Sequence, residues 1–374
     1  MSRARRKAVV AMSGGVDSSV AAALMKEDGY DVTGIMLKLW KGEAANNESG
    51  CCSLDAAEDA RRVAQVLDIP FYVLNFADEF SSTVVDHFTR QYAAGLTPNP
   101  CVECNRSIKF AALLDRARMY EADVLATGHY ARTDCLDGRY RLLRAREPGK
   151  DQSYVLYMLG QEELELARFP VGRYSKPEIR RIAASLGLRT AGKPESQDLC
   201  FVPNGNTHAF IAQKVPKGSV PGPIVTSEGR KLGTHKGFAH YTVGQRKGLG
   251  IGVGLPLYVT EIRSSENTVV VAGSGEMHVD SIPVEAISFV AGPPGPEFRA
   301  DVMTRYRGPQ VSAVVRVDGD GATVTFDTPQ ARPAPGQTAV FYRGDEVLGG
   351  GTIGSVGRRE EPSPPGDGCQ EPAA

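Results

Sequence analysis

A short glycine-rich segment near the N-terminus constrains the fold of this chain more than any other feature. An apolar run over residues 7–12 leads into Ser13–Ser18, which reads SGGVDS, and a helix is predicted over residues 18–28. Glycines allow the backbone to turn sharply and to approach a ligand closely. The serine hydroxyls can donate hydrogen bonds, and the start of the next helix offers free N–H groups and a positive dipole end. The segment, called the nucleotide loop below, therefore predicts a pyrophosphate site.

Two details of the nucleotide loop limit this prediction. The loop lacks the Gly-Lys-Ser/Thr ending of a Walker loop. Asp17 is negative, which is unusual beside phosphate, so we interpret it as a Mg²⁺ ligand or as a helix-start residue. The alternative to a nucleotide site is a Gly-Gly turn that is capped by serines and binds nothing.

The first 130 residues alternate between strand and helix patterns. Strands are predicted over 7–12, 31–39, 71–76 and 123–127, and helices over 18–28, 54–67 and 108–120. Such alternation is typical of a doubly wound parallel sheet in an α/β domain. Ligands of these sheets bind at the carboxyl ends of the strands.

The rest of the chain has a different pattern of predicted secondary structure. A hairpin strand is predicted over 139–144 and a helix over 175–186. From about residue 215, short β-rich runs predict a small barrel or sandwich, with strands over 257–262, 268–272, 300–306, 312–317, 323–326 and 338–342. We expect an α/β domain at 1–205, a small β-rich domain at 206–275, a β-barrel at 276–357 and a disordered tail at 358–374.

Composition narrows the class of protein. The net charge of -1 gives no global sign of a polyanion partner, although a local basic surface would suffice for nucleic acid. The apolar run after the basic N-terminus is too short for a signal peptide, and no stretch of about 18 apolar residues predicts a membrane span. We therefore expect a cytoplasmic protein. An odd number of cysteines, seven, does not fit a secreted disulfide framework.

Two cysteine segments can carry chemistry. Two prolines in residues 97–105 stiffen the approach to a helix, and Cys104 is predicted at its N-terminus near Arg106 and Lys109, where a lowered pKa would make it a nucleophile. Cys101 and Cys104 form a Cys-x-x-Cys pair, which can be redox-active, metal-binding or structural. Cys200 lies between Leu and Phe, so a buried core thiol is as reasonable for it as a function.

The nucleotide loop resembles the PP-loop of N-type ATP pyrophosphatases, and the chain as a whole resembles the tRNA-specific 2-thiouridylase family. These enzymes replace the 2-oxygen of the wobble uridine of tRNA with sulfur. The matching stretches are Ala11–Ser19, Gly34–Trp40, Thr97–Phe110, Ala126–Tyr130, Lys150–Tyr154, Gln197–Phe201, Thr242–Gly248, Thr304–Arg307 and Pro335–Gly351.

The resemblance implies a mechanism. ATP adenylates the uridine O2 while Mg²⁺ neutralises the phosphates, and residues 1–205 form the catalytic domain. Cys200 receives a persulfide from a donor, a cysteine desulfurase or a sulfur carrier protein, and Cys104 is the second thiol, which helps to release sulfur and can close a disulfide with Cys200. The implied ATP-binding residues are Ala11, Met12, Ser13, Gly14, Gly15, Val16, Asp17, Ser18, Leu37 and Gly128.

The resemblance also implies a tRNA surface, with residues 206–275 as an adaptor and 276–357 as a tRNA-contacting barrel. The implied contacts are Asn99, Pro100, Cys101, His129, Lys150, Asp151, Gln152, Arg305, Tyr306 and Gln337. Lys150 and Arg305 suit phosphate, and Tyr306 could stack on a base. Asp151 would repel phosphate, so a structural role is nearly as reasonable for it.

One position departs from the family pattern, because many members have Asp where this chain has Cys101. An alternative mechanism follows, in which Cys101, Cys104 and Cys200 ligate a [4Fe-4S] cluster with one open iron. Two other functions stay open: an ATP pyrophosphatase that acts on a small molecule, and a non-catalytic RNA-binding protein.

Overall fold

A computed structural model of the chain describes residues 5–40, 54–194, 199–202, 205–252 and 255–355. The predicted tail at 358–374 and the positions Gln197 and Asp198 lie outside the described residues. No helix within the described ranges combines the length and the apolarity that crossing a membrane requires.

The N-terminal domain is built on a parallel five-stranded sheet in the order β3-β2-β1-β4-β7. The strands of this part of the chain are β1 (Lys7–Ala11), β2 (Asp31–Lys38), β3 (Phe71–Asn75), β4 (Val124–Thr127), β5 (Ala131–Leu136), β6 (Arg139–Arg144) and β7 (Ala167–Arg168). The four predicted sheet strands are confirmed, and so is the doubly wound α/β class.

Helices cover both faces of this sheet. They are α1 (Val16–Glu27), α2 (Leu54–Val66), α3 (Ala77–Phe80), α4 (Asp86–Ala93), α5 (Pro100–Glu103), α6 (Leu113–Met119), α7 (Gln161–Leu166), α8 (Lys176–Ser185) and α9 (Thr207–Lys214). Wider π-helical turns at Ser81–Val85 and Cys104–Ala112 join α3 to α4 and α5 to α6. One continuous helix therefore runs from Pro100 to Met119.

The predicted start of that helix at residue 108 is wrong. The Asn99 side chain accepts a hydrogen bond from the Cys101 N–H at 3.2 Å and caps the helix there, and Pro100 occupies the first helical position. Proline suits that position because its missing N–H would have no helical partner there. The helix therefore begins at Pro100, before the predicted start.

The central part of the chain forms a small sheet in the order β10-β11-β8-β9. Its strands are β8 (Gly222–Thr226), β9 (Lys231–His235), β10 (Tyr258–Arg263) and β11 (Thr268–Ala272). Ile224, Val259 and Val269 from this sheet share one apolar core with Phe88 and Phe210 of the helical layer. The central module is thus packed directly on the α/β domain.

The C-terminal part closes into a barrel. Its strands are β12 (His278–Phe289), β13 (Glu297–Met303), β14 (Val311–Asp318), β15 (Gly321–Ala331), β16 (Thr338–Arg343) and β17 (Glu346–Ile353). They follow the order β12-β15-β14-β13-β16-β17, and β12 also pairs with β17, which removes the open edge. The predicted C-terminal barrel is confirmed.

The hairpin β5–β6 ties the barrel to the α/β domain. Leu142 and Leu143 of β6 pair with Val347 and Glu346 of β17, so the hairpin extends the barrel sheet. The buried Tyr154 hydroxyl adds a bond across the same boundary, donating to the Thr338 carbonyl at 2.7 Å. The barrel is therefore fixed against the segment that contains residues 150–154.

Candidate functional site

The nucleotide loop lies at the point where the strand order of the parallel sheet reverses. It follows β1, which has β2 on one side and β4 on the other. The Met12 N–H still donates to the Ile35 carbonyl at 2.8 Å, so the loop leaves the sheet immediately after that residue. Crevices at such a switch point are where open α/β sheets bind ligands. The ends of β2 and β4 bring Leu37 and Gly128 to the same edge.

Internal hydrogen bonds hold the nucleotide loop in one shape. The Ser13 N–H donates to Ser18 Oγ at 3.1 Å, and the Ser18 hydroxyl donates to the Gly15 carbonyl at 3.1 Å. The Ser19 hydroxyl donates to the same carbonyl at 2.8 Å. Met12 and Val16 are buried in the core beneath the loop, whereas Ser13 is exposed. The loop is therefore preformed, with Ser13 facing outward.

Two glycines of the predicted ATP site occupy positions that exclude any side chain. Gly14 has a φ of 71°, and a Cβ there would lie 2.2 Å from the Ala56 carbonyl oxygen. A Cβ on Gly128 would lie 2.7 Å from the Ser18 nitrogen. Both contacts are far inside van der Waals distance, so the end of β4 and the start of α2 touch the loop backbone directly.

Asp17 is held by a lysine that sequence reasoning missed. Lys176 Nζ donates to both Asp17 carboxylate oxygens, at 2.7 and 2.8 Å, and the Tyr130 hydroxyl donates to one of them at 2.8 Å. Lys176 is 6% exposed and Asp17 lies in the first turn of α1. The helix-start interpretation of Asp17 thus fits, and its charge is already balanced by a buried cation. No sequence signal indicated this role of Lys176, because a lysine is an ordinary first residue in a Ser-capped helix.

Replacing Lys176 tests this ion pair. We expect Lys176→Met to lower the free energy of unfolding by about 2–3 kcal/mol, because it leaves a part-buried carboxylate with Tyr130 as its remaining bonding partner. The matched control is Lys7→Met, which removes an exposed pair with Glu121 and should change stability little. Urea denaturation of both variants makes the comparison. Equal losses in the two variants would contradict the structural importance of the buried pair.

A second lysine that the sequence did not single out also touches the loop. Lys193 Nζ donates to the Gly14 carbonyl at 3.1 Å and to Asp59 of α2 at 2.7 Å. Lys193 therefore joins the backbone of the nucleotide loop to α2. It lies seven residues before Cys200 in the chain.

The two candidate thiols differ in exposure but adjoin one apolar cluster. Cys104 is buried in the core that contains Phe201, the residue after Cys200, whereas Cys200 itself is exposed. The Phe201 ring lies 5.2 Å from that of Phe88 and 5.4 Å from that of Phe210. We call Phe80, Phe88, Phe201 and Phe210 the aromatic cluster. Cys200 is therefore not a core thiol, and Phe201 anchors its segment beside the core that holds Cys104.

The predicted place of Cys104 at the helix N-terminus is wrong. Because the helix begins at Pro100, Cys101 is at its second position and exposed, whereas Cys104 is at its fifth. Within the described ranges, which include Cys101, Cys104 and Cys200, no group of three or more His, Cys, Asp or Glu side chains could hold a metal ion. The positions of these three thiols therefore do not fit the ligand set of an iron–sulfur cluster.

Two of the predicted tRNA contacts are buried and engaged in internal bonds. Asp151 accepts from the Arg144 guanidinium at 3.1 Å, from the Ala145 N–H at 2.9 Å and from the Ser153 hydroxyl at 2.9 Å. His129 is 9% exposed, and its Nδ1 lies 2.8 Å from the Thr127 hydroxyl. The structural interpretation of Asp151 is the one that this geometry favours.

His129 makes stability depend on pH. Burial holds the pKa of His129 well below its ordinary value, and the charge of Lys109 lowers it further. The unfolded chain takes up this proton below about pH 6.5, whereas the folded chain resists it. The free energy of unfolding should thus be steady above that pH and fall below it, by up to about 1.4 kcal/mol per pH unit.

Chemical denaturation between pH 5 and 8 measures this effect, with His129→Gln as the comparison. The stability difference between the wild type and this variant should shrink as the pH falls through about 6. A difference that stays constant with pH would contradict a neutral, buried His129.

The other predicted contacts gather where the α/β domain meets the barrel. The Tyr130 N–H donates to the Gln152 side chain at 2.9 Å, which fixes the segment that bears Lys150. Gln337 donates to the Thr97 carbonyl at 2.9 Å, so the barrel supports the approach to Asn99 and Pro100.

Tyr306 offers a partly exposed aromatic face near this junction. It is 40% exposed, and its ring lies 6.0 Å from that of the buried Tyr154. Burial raises the pKa of Tyr306, which keeps its phenol neutral, and Arg307 lies 5.2 Å from its ring. Arg305 is exposed beside it. The geometry therefore places a solvent-exposed aromatic ring and a guanidinium group on the same surface.

Three family models match consecutive stretches of the chain. The tRNA methyl transferase HUP domain matches residues 6–204, the tRNA methyl transferase PRC-barrel domain matches 208–273, and the aminomethyltransferase beta-barrel domain matches 279–353.

Curated relatives match nearly the whole chain. A protein named tRNA-specific 2-thiouridylase MnmA from Roseiflexus sp. (strain RS-1) is 47% identical over 369 residues, which cover 93% of this chain and 99% of the relative. A protein of the same name from Chloroflexus aurantiacus (strain ATCC 29366 / DSM 635 / J-10-fl) is 50% identical, with 92% of this chain and 97% of the relative covered. Another from Moorella thermoacetica (strain ATCC 39073 / JCM 9320) is 48% identical and covers 93% of this chain and 99% of the relative.

Proposed function

Since the chain belongs to the tRNA-specific 2-thiouridylase family, we propose that it uses ATP to replace the 2-oxygen of the wobble uridine of tRNA with sulfur. The observation that carries this proposal is the identity of 47% and 50% to proteins of that name over more than nine-tenths of the chain. The enzyme is a sulfurtransferase, and its substrates are tRNA and ATP.

The nucleotide loop binds the phosphates of ATP in this proposal. The exposed Ser13 and the start of α1 supply hydrogen-bond donors, and Gly14 and Gly15 allow the backbone to come close. The uridine O2 attacks the α-phosphorus, an O–P bond forms, and the bond to pyrophosphate breaks. Lys176 and Lys193 are positioning residues that hold Asp17 and the Gly14 carbonyl in place.

Sulfur transfer follows at the two thiols. The terminal sulfur of a persulfide on Cys200 attacks C2 of the uridine, the C–O bond breaks, and AMP leaves with the former 2-oxygen. The Cys104 thiolate then attacks Cys200 Sγ, which releases the thiouridine and forms a Cys104–Cys200 disulfide. A thiol reductant must reopen that disulfide before the next turnover. The exposed Cys200, next to the core that contains Cys104, supports this division of roles.

Mg²⁺ would neutralise charge on the phosphates, and the geometry is compatible with that role. Mg²⁺ usually keeps several waters and binds through substrate phosphates with few protein ligands. Asp17 is the carboxylate of the loop, and its pairing with Lys176 favours a positioning role over direct coordination. The persulfide route is preferred to the [4Fe-4S] alternative, because the three cysteines do not form a common ligand set.

The tRNA would lie across the junction of the α/β domain and the barrel. Asn99, Pro100 and Cys101 would meet the target base, which must leave its stack to reach the loop. Lys150 and Arg305 suit backbone phosphates, and Tyr306 offers a stacking face. The buried Asp151 and His129 would support this surface from below, with Gln152 and Gln337 fixing its segments.

The sulfur donor is a protein or small molecule that presents a persulfide, such as a cysteine desulfurase or a sulfur carrier protein. The exposure of Cys200 makes it accessible to such a donor. Because the substrate is tRNA, the proposed place of action is the cytoplasm.

ATP–pyrophosphate exchange tests the proposal against the nearest rival functions. We expect exchange that depends on added tRNA bearing an unmodified wobble uridine, because adenylation needs that oxygen as its acceptor. Exchange without tRNA would indicate an ATP pyrophosphatase that acts on a small molecule. Tight tRNA binding with no exchange would indicate a non-catalytic RNA-binding protein.

A further inference from the structure

A cavity with four arginines lies between the hairpin β5–β6, the loop that follows it and the β16–β17 turn of the barrel. Its volume is about 380 Å³, and the arginine cavity is lined by Arg132, Arg144, Arg146, Pro148, Arg173 and Asp345. None of these residues is among the ATP-binding residues, tRNA contacts or thiols that the resemblance implies, so no role in the reaction has been assigned to the cavity.

The four guanidinium groups retain hydrogen-bonding capacity. Arg132 donates to the Arg144 carbonyl and to Asp345, which is 67% exposed at the rim. Arg144 donates to the buried Asp151 and to Gln310. Since each guanidinium carries five N–H donors in a planar fork, these contacts leave donors on both arginines.

Arg146 and Arg173 are the more available pair. Arg146 is 62% exposed and reaches Glu178 at 3.4 Å, which is a long contact. Arg173 is exposed, and its side chain has no hydrogen bond or ion pair with another residue in the described part of the chain. Three of the four guanidinium groups pair with a carboxylate, that of Asp345, Asp151 or Glu178, and the guanidinium of Arg173 has no such pair within the described part of the chain. A planar fork with spare donors is suited to phosphate.

The position of the cavity identifies the source of that phosphate. The loop that lines it continues from Arg146 through Pro148 into Lys150. Glu147, in the same loop, accepts from the N–H of Lys176, the lysine that holds Asp17. The cavity therefore lies next to the proposed tRNA surface and is joined to the nucleotide loop through one lysine.

We propose that the arginine cavity binds phosphate groups of the tRNA backbone, with Arg146 and Arg173 as the main contacts. This inference rests on the proposed function, because it places a further part of the same substrate. It fixes the register of the tRNA on the enzyme and takes no part in the chemical steps.

The test is the salt dependence of tRNA binding in Arg146→Gln/Arg173→Gln. Each lost phosphate contact should reduce the slope of log K against log salt by about 0.7–0.9, and affinity at moderate salt should fall about tenfold or more. The matched control is Arg116→Gln/Arg118→Gln, which removes the same charge from exposed positions of α6, next to the amino end of β4. The control should keep the wild-type slope.

A second variant and a second ligand make the test more specific. Arg146→Lys/Arg173→Lys keeps the charge and should retain most of the slope while losing affinity, because lysine lacks the fork. Titration with inorganic phosphate and pyrophosphate, without tRNA, tests the other source of the same chemistry. Variants that lose binding of these free anions but keep the wild-type tRNA slope would overturn the proposal.

The failure of this inference can be told apart from failure of the proposed function. If the wild type thiolates tRNA and the glutamine variant binds it with an unchanged slope and affinity, the cavity assignment is wrong and the function stands. If the wild type neither binds nor thiolates tRNA, the proposed function itself is wrong.

Discussion

Cys200→Ser is expected to lower the rate of tRNA thiolation by at least about three orders of magnitude, because serine cannot carry a sulfane sulfur. Binding of tRNA should stay close to that of the wild type, since Cys200 is exposed and its neighbour Phe201 supplies the packing. ATP–pyrophosphate exchange should also persist, because adenylation precedes the use of sulfur. Thiolated nucleoside is measured by mass spectrometry. ATP–pyrophosphate exchange is measured with labelled pyrophosphate.

The matched control for this variant is Cys135→Ser. Cys135 is exposed on β5 and away from the aromatic cluster, so its replacement should leave thiolation unchanged. Cys104→Ser should form the persulfide on Cys200 but release sulfur slowly. Full thiolation by Cys200→Ser would show that another residue carries the sulfur and would remove Cys200 from the mechanism.

Gly14→Ala is the second change with a large expected effect. The added Cβ would lie 2.2 Å from the Ala56 carbonyl oxygen on a backbone with a φ of 71°. We expect the free energy of unfolding to fall by about 2–4 kcal/mol from strain and overpacking. ATP-dependent exchange should fall at least about a hundredfold, since the loop cannot keep its shape.

Gly29→Ala separates backbone strain from damage to the loop. Gly29 follows α1 with a φ of 86°, and nothing lies within 4 Å of the Cβ position. This variant should lose about 1 kcal/mol of stability and keep normal exchange. Equal loss of exchange in the two variants would mean that stability, and not the geometry of the loop, limits nucleotide use.

Local sequence pattern was sufficient to predict the nucleotide loop and four of the five strands of the parallel sheet, although not the two-residue β7. Buried parallel strands are short apolar runs, and β1 and β4 show this clearly in Ala8–Val10 and Val124–Ala126. The serine-capped α8 was also predicted, and in the structure Ser175 and Glu178 form a capping box at its start. These features depend on neighbours in sequence, and a single chain is enough to identify them.

Strand β17 was missed because its decisive contacts are distant in sequence. Gly349, Gly350 and Gly351 read as a loop, but each lies against the backbone of another strand. A Cβ on Gly350 would lie 2.4 Å from the Ala339 carbonyl oxygen. Because neighbouring strands approach closely in the closed barrel, this run of glycines forms a strand, although the intrinsic propensity of glycine favours a turn.

The positioning residues of the site were missed for the same reason. Lys176 meets Asp17 across 159 positions of the chain, and Lys193 meets Gly14 across 179. Neither lysine belongs to a motif with a local signature. The arginine cavity is likewise assembled from separate segments, the β5–β6 hairpin, the turn around Arg173 and the barrel.

The central claim is that this chain puts sulfur on a wobble uridine at the expense of ATP. The most direct measurement is mass spectrometry of tRNA nucleosides after incubation of the enzyme with ATP, Mg²⁺, isotopically labelled persulfide and a thiol reductant. We predict 2-thiouridine that carries the labelled sulfur, with one AMP formed for each sulfur transferred. A methylated uridine, or an unchanged uridine while ATP is cleaved, would contradict the account.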